Sequence, residues 1–197
     1  MSWMAIIFTF ALVDNVILSR LLGVCPASGE PGGIRAAAGI GGFMAALMAG
    51  AAIGAWAVDS FLLVPTGFTL LRTPVFVFLV AGLAVAQHAF CVRFLPRLLQ
   101  VGGISIPEVG LNTAALGLVL IATRGEYSVL ESLVAGLAAG AGYFLVTAML
   151  SAIRERLDLE PVPGVLKGFP LQLITAGLMA YAFMAFDRAF LARILGG

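Results

Sequence analysis

Apolar residues run along this chain in blocks of about twenty, the length a helix needs to cross the hydrocarbon core of a bilayer. Six such blocks are predicted as spans, at 4–24, 36–63, 74–94, 104–122, 129–153 and 171–191. The fourth is short and interrupted by Pro107 and Gly110. Turn chemistry separates the blocks: residues 26–33, Pro65-Thr66-Gly67, Arg124-Gly125-Glu126 and Pro161-Val162-Pro163-Gly164. None of these breaks is long enough to hold a soluble domain, so a single membrane domain over 1–197 is expected.

Within the blocks, small residues recur at helical spacing. Gly42, Ala46, Gly50 and Gly54 form one such series, and Ser132, Gly136 and Gly140 another. Small side chains at every fourth position leave a groove into which a second helix backbone can settle, so both series are expected to be helix-packing faces.

Composition agrees with lipid as the solvent. Hydrophobic residues make up 61% and charged residues 11% of the chain, and mean hydropathy is +1.10. Soluble domains run near ~45–50% apolar and ~25% charged. A soluble protein of this size could not bury so much apolar surface, and a disordered one would not carry it. A net charge of +1 leaves no basic face, so no nucleic-acid partner is expected. The N-terminal Met1-Ser2-Trp3-Met4 lacks a basic segment, and Asp14 and Arg20 interrupt the apolar run behind it. That block is therefore expected to be a span of the mature chain and not a cleaved signal.

Basic residues set the orientation. The side receiving the breaks after spans one, three and five holds Arg20, Arg35, Arg93, Arg97, Arg154, Arg156 and Lys167; the other holds Arg72, Arg124, Arg188 and Arg193. The richer side is expected to be cytoplasmic. Both termini then lie outside, on the periplasmic face of a bacterial inner membrane.

The two halves resemble each other. Asn15 is matched by Asn112, Pro74 by Pro170, and Ala81-Gly82-Leu83 by Ala176-Gly177-Leu178, at offsets of 97, 96 and 95. Residues 1–98 and 99–197 thus each hold three spans. Three is odd, so the second copy enters the membrane from the opposite side: an all-α protein of six transmembrane helices in two inverted repeats. Such folds gather function near the midplane on interrupted helices. Here the first and fourth spans carry the interruptions.

A polar seam follows from them: Asp14, Asn15, Glu108, Asn112 and Thr113. A carboxylate inside a span costs about 2.5–3.5 kcal/mol on insertion scales, so Asp14 and Glu108 mark either an ion path or structural positions, Asp14 capping a half-helix or pairing with Arg20 and Glu108 sitting at an interface. Asparagine supplies both donor and acceptor to backbone freed at a helix break. His88 on the third span is either a proton relay or a hydrogen-bonded core residue. Cys25 and Cys91 make no disulfide framework. No metal, phosphate or nucleophile motif occurs, and no catalytic residue is expected.

The run Leu12-Val13-Asp14-Asn15-Val16-Ile17-Leu18-Ser19-Arg20-Leu21-Leu22-Gly23-Val24-Cys25-Pro26 resembles the opening of the A-type membrane component of the Rnf electron-transport complex, to which the E-type component of the sodium-pumping Nqr complex is similar. Gly103-Ile104-Ser105-Ile106-Pro107 with Leu111-Asn112-Thr113-Ala114-Ala115-Leu116-Gly117, Ile153-Arg154-Glu155-Arg156 with Val162-Pro163, and Ile174-Thr175-Ala176-Gly177-Leu178-Met179-Ala180 continue the likeness along nearly the whole chain. The resemblance implies membership of an ion-translocating oxidoreductase working between ferredoxin and NAD⁺, with Na⁺ or H⁺ as the coupling ion. It implies a homologous partner of inverted topology (RnfE-like), flavin-bearing partners (RnfD/RnfG-like), and cytoplasmic iron–sulfur and NADH-binding partners (RnfB/RnfC-like). It also implies a [2Fe–2S] cluster shared with the inverted partner, each of the two proteins giving one cysteine from each broken helix. Cys25 matches the first of these ligands. Thr113 stands where the second is expected, and His88 where the family usually carries glutamate. A replacement ligand such as Cys91, a ligand from outside the chain, or loss of the cluster would each accommodate Thr113. Outside this family, a small inverted-repeat ion or solute transporter fits the same seam.

Overall fold

A computed structural model describes residues 3–20, 22, 33–94, 113–157 and 159–184, with backbone alone at 33–36. Among these residues all regular structure is helical. The first apolar block forms α1 (Trp3–Phe8), widens into a π-helical stretch (Thr9–Val13), breaks, and resumes as α2 (Val16–Arg20). The second forms α3 (Gly33–Val58), which runs on through a π turn (Asp59–Leu63). Pro65 lies in the last turn there and Gly67, at φ 73°, closes it; only glycine takes that conformation without cost. Then follow α4 (Arg72–Phe94), α5 (Thr113–Arg124), α6 (Val129–Leu157) and α7 (Phe169–Phe183).

Three helical stretches among the described residues are long and apolar enough to cross a membrane: Ala37–Thr66, Thr69–Phe94 and Val129–Leu157. Trp3–Val13, Thr113–Arg124 and Phe169–Phe183 are shorter apolar helices.

The core sits where α3 and α6 cross. Gly136 faces Ala49, where a Cβ would lie 2.7 Å from the Ala49 Cα. Gly140 faces Ala45 still more closely. Gly41 faces Phe144, where a Cβ would lie 2.6 Å from the Phe144 Cβ. The partners advance by four on one helix while retreating by four on the other, which is antiparallel packing in a fixed register. Gly136 and Gly140 are therefore buried in the helix contact, as their spacing predicts, and Ser132 is buried one turn before them.

The series on the second span is different. Gly42 and Gly50 have nothing within 4 Å of a built Cβ, and Ala46 is exposed. The contact face of α3 lies one position back, at Gly41, Ala45 and Ala49. Only Gly54 of the expected series packs, against Leu79 and Leu83 of α4 at 3.6 Å. The reason is that α3 is small on two adjacent faces, and the shape of α6 selects between them.

The start of α6 is a capping box. The Ser128 backbone N–H donates to a Glu131 carboxylate oxygen at 3.0 Å, and the Glu131 N–H donates back to the Ser128 hydroxyl at 3.4 Å. On the other side of the preceding turn, α5 ends with Tyr127 N–H donating to Ala122 C=O and Glu126 N–H to Thr123 C=O. This is a Schellman arrangement, with Glu126 at φ 51° in the position that normally takes glycine. The α3–α4 hairpin is held at the same end by Arg72, which donates twice to Asp59, at 2.6 and 3.0 Å. In the sequence Arg72 counts only as a loop charge, and nothing local to it points to this pair.

Candidate functional site: the break in the first span

Backbone bonding explains why the first span breaks where it does. The widened stretch ends at Asp14, with φ −96° and ψ 43°, its N–H donating to Thr9 C=O at 2.6 Å. Asn15 is next and is 1% exposed. Its Nδ2 donates to Ala11 C=O at 3.0 Å, and its Oδ1 accepts from the Ile17 N–H at 3.1 Å. Its own carbonyl accepts from Ser19, from the N–H at 2.8 Å and the hydroxyl at 2.7 Å. One side chain thus caps α2 and satisfies a carbonyl of the π-helical stretch before the break. A buried break without these bonds would leave polar backbone in an apolar setting.

The fifth span presses on this break. A Cβ at Gly142 would lie 2.8 Å from both Asn15 Nδ2 and Ala11 C=O, and 3.0 Å from Phe10 C=O. Gly142 is therefore a close-approach position that allows α6 to seat against the break. It falls outside the four-residue series read from the sequence, although Gly140-Ala141-Gly142 carried the signal. On the far side, Asp14 and Ser19 line a cavity of about 530 Å³ with Leu18, Gly177, Ala180 and Tyr181, between the break and α7.

Depth follows from helix rise. Gly142 is thirteen residues into the 29-residue α6, so the break lies about 20 Å along the axis, near the middle of that helix. Thr113 is the first residue of α5, eleven before Arg124, and so about 17 Å from that helix end. The two elements touch: a Cβ at Gly117 would meet the Leu22 side chain at 2.5 Å and Val16 at 3.7 Å. The structure thus brings Asp14 and Asn15, on the broken first span, to a depth like that of Thr113, on a helix packed beside α2. Cys25, Glu108 and Asn112 lie outside the described residues.

The remaining candidates sit elsewhere. Cys91 is a free, buried thiol on α4, lining a groove between α3 and α4 with Phe43 and Gln87. It is nineteen residues from Arg72, or about 28 Å along α4, some 10 Å beyond the depth of Thr113. His88 is half-buried on the same helix. Beside it, Gln87 donates to Phe43 C=O at 2.8 Å, tying the third span to the second; its pattern in the sequence gives no sign of this role. Among the described residues no three His, Cys, Asp or Glu side chains converge as a metal site.

Comparison with known proteins adds what geometry alone does not. Residues 3–189 match the model of a family described as "Rnf-Nqr subunit, membrane protein". The A-type component of the ion-translocating oxidoreductase complex of Edwardsiella ictaluri is 38% identical over 176 residues, covering 89% of this chain and 91% of that one. The A-type component of the Na(+)-translocating ferredoxin:NAD(+) oxidoreductase complex of Acetobacterium woodii is 35% identical over 187 residues, covering 95% and 97%. The corresponding protein of Serratia proteamaculans is 37% identical over 175 residues, covering 89% and 91%. A family model spanning nearly the whole chain, with relatives matched from end to end, settles the kinship: this chain belongs to the Rnf-Nqr family of membrane subunits.

Proposed function

We propose that this chain is the A-type membrane component of an Rnf-type ion-translocating oxidoreductase, coupling electron transfer between ferredoxin and NAD⁺ to movement of Na⁺ or H⁺. It has no independent active site. The observation that carries this reading is the end-to-end likeness to A-type components of such complexes, 35% over 95% of this chain in the Acetobacterium woodii case. Its partners would be an inverted-topology RnfE-like protein, flavin-bearing RnfD/RnfG-like proteins and cytoplasmic RnfB/RnfC-like proteins, in a bacterial inner membrane with both termini outside.

The register of α3 on α6 supports the inverted repeat over 1–98 and 99–197. An offset of 95 maps Ala45 onto Gly140, and maps the Gly41–Phe144 contact onto Ala49–Gly136. A pseudo-twofold axis through the Ala45–Gly140 crossing therefore reproduces all of these contacts. The same offset relates Ala81-Gly82-Leu83 to Ala176-Gly177-Leu178. It also matches Asp59 with Arg154 and Arg72 with Lys167. Packing obeys the symmetry at all of these positions, whereas charge keeps it at Arg72 and Lys167 and breaks it at Asp59 and Arg154, where the basic residue falls on the side expected to be cytoplasmic.

The expected cysteine pair is not met by this chain. Thr113 offers a hydroxyl where a thiolate is needed, and Cys91 lies at a different depth, facing the α3–α4 groove. Cys25 is then the one ligand this chain gives to a [2Fe–2S] centre shared with the RnfE-like partner. What the described residues do is hold the break: Asn15 satisfies the backbone, Gly142 admits α6, and Asp14 borders the cavity. Asp14, Asn15, Glu108, Asn112 and Thr113 then form the seam through which the coupling ion passes or which braces the helix ends.

Purification of the complex, with iron analysis and EPR on wild type, Cys25→Ala and Cys91→Ala, tests this. Loss of the signal in Cys25→Ala alone is expected. An unchanged signal in that variant overturns the ligand role. Absence of flavin and iron–sulfur partners from the purified assembly overturns the function and leaves an independent transporter.

A further inference from the structure

At the end of the molecule farthest from Cys91, the ends of α3 and α5 and the starts of α4 and α6 enclose a cavity of about 490 Å³. Its character differs from that of the α3–α4 groove. Asp59 and Arg72 occupy one wall and are paired with each other. Trp56 and Tyr127 supply aromatic wall, and Ser132, buried at the start of α6, lies within the lining. At the mouth stand Arg124 and Glu126, exposed and two residues apart around the left-handed turn. Among the described residues no ion pair or hydrogen bond engages either of their charged groups.

Three features define what fits. Among the described residues the site offers one uncommitted cation and one uncommitted anion, so its complement is a zwitterion. It lies at the ends of the spans with a tryptophan and a tyrosine, the level at which headgroups and aromatic side chains meet. Val64, itself part of the lining and exposed, leads out to Phe61, Leu62 and Phe68, a strongly exposed apolar strip. A ligand seated here has a zwitterionic head and an apolar tail beside it.

We propose that this cavity binds the headgroup of a phospholipid bearing a primary ammonium, phosphatidylethanolamine being the chemical type. Arg124 takes the phosphate through paired guanidinium N–H donors. Glu126 accepts from the ammonium, which has three N–H donors to give. The acyl chains run down the Phe61–Leu62 strip. Glu126 sits in left-handed backbone that closes α5, two residues after Arg124, so the one turn brings both charged residues to the lining of the same cavity.

The full chain, purified in detergent and exchanged into lipid, tests this by native mass spectrometry of retained phospholipid. Phosphatidylethanolamine is expected to be retained in preference to phosphatidylcholine, which carries the same charges but no ammonium N–H, and to phosphatidylglycerol, which has no cation. Arg124→Gln is expected to weaken retention by at least about tenfold, since it removes the paired charge-assisted bonds to the phosphate. Glu126→Gln is expected to abolish the discrimination against phosphatidylcholine while leaving some binding. Circular dichroism and monodispersity confirm that each variant is folded. Equal retention of all three lipids, insensitive to both substitutions, would reduce the cavity to a wet crevice and overturn the proposal. So would a preference for phosphatidylglycerol, which marks a simple anion site, or an intact complex in which a partner's side chains fill the cavity.

Discussion

Replacing Asn15 by alanine removes two bonds at once from a position that is 1% exposed. The Ala11 carbonyl loses its donor at 3.0 Å, and the Ile17 N–H loses its acceptor at 3.1 Å. Loss of a helix N-cap alone costs about 1 kcal/mol. A buried group left unpaired costs about 1–3 kcal/mol in water-soluble proteins. Side-chain hydrogen bonds within membranes average nearer ~0.6 kcal/mol, because the unfolded chain also finds partners in the bilayer. Two bonds lost together therefore put the destabilisation of Asn15→Ala at about 1–4 kcal/mol. Ser19→Ala is the control. It removes one hydroxyl bond to the Asn15 carbonyl, which still accepts from the Ser19 N–H at 2.8 Å, so a loss below about 0.6 kcal/mol is expected. Reversible unfolding in mixed detergent–SDS micelles, followed by circular dichroism, measures both. An Asn15→Ala loss no larger than the Ser19→Ala loss would refute the idea that this side chain holds the break together.

The two glycine faces of α3 and α6 separate cleanly by substitution. Gly140→Ala is expected to cost about 1–3 kcal/mol by overpacking against Ala45, while Gly42→Ala, with open space around it, is expected to be neutral or to stabilise by up to about 1 kcal/mol through helix propensity; the same unfolding assay ranks them. Gly142→Ala should destabilise too, and its effect should be non-additive with Asn15→Ala, since the added methyl would press on the Asn15 amide. A double-mutant cycle on Asp59 and Arg72 is expected to give a coupling of about 1 kcal/mol, the upper part of the range for partly exposed pairs because the contact is bidentate. Glu126→Gly should raise stability by up to about 1 kcal/mol by relieving the left-handed backbone, while erasing the lipid discrimination assigned to that carboxylate.

How far the chain could be read depended on what kind of signal each feature left. Membrane residence is a sum over residues, so it was plain from composition and block length. The first break was legible because Asp14, Asn15, Ser19 and Arg20 crowd a run that is otherwise apolar. The packing face of α6 was legible because its small residues form a single series. On α3, Gly41, Gly42, Ala45, Ala46, Ala49 and Gly50 line two neighbouring faces, and no property of that helix alone says which one is used. Asp59 and Arg72 lie thirteen apart across a turn, a separation with no local meaning until the hairpin closes. Gln87 was hidden for the same reason, since its partner is a backbone carbonyl on another span.

The sequence by itself thus determined the solvent, the helical class and the place of the first break, because each depends on side-chain type and spacing along one chain. Tertiary structure alone decided which side of α3 meets α6, that Gly142 seats against the Asn15 amide, and that two arginines and two carboxylates border one cavity. Those outcomes rest on the contact of surfaces far apart in the chain, where a shift of a single position moves a side chain by about 100° around its helix and exchanges a buried face for an open one.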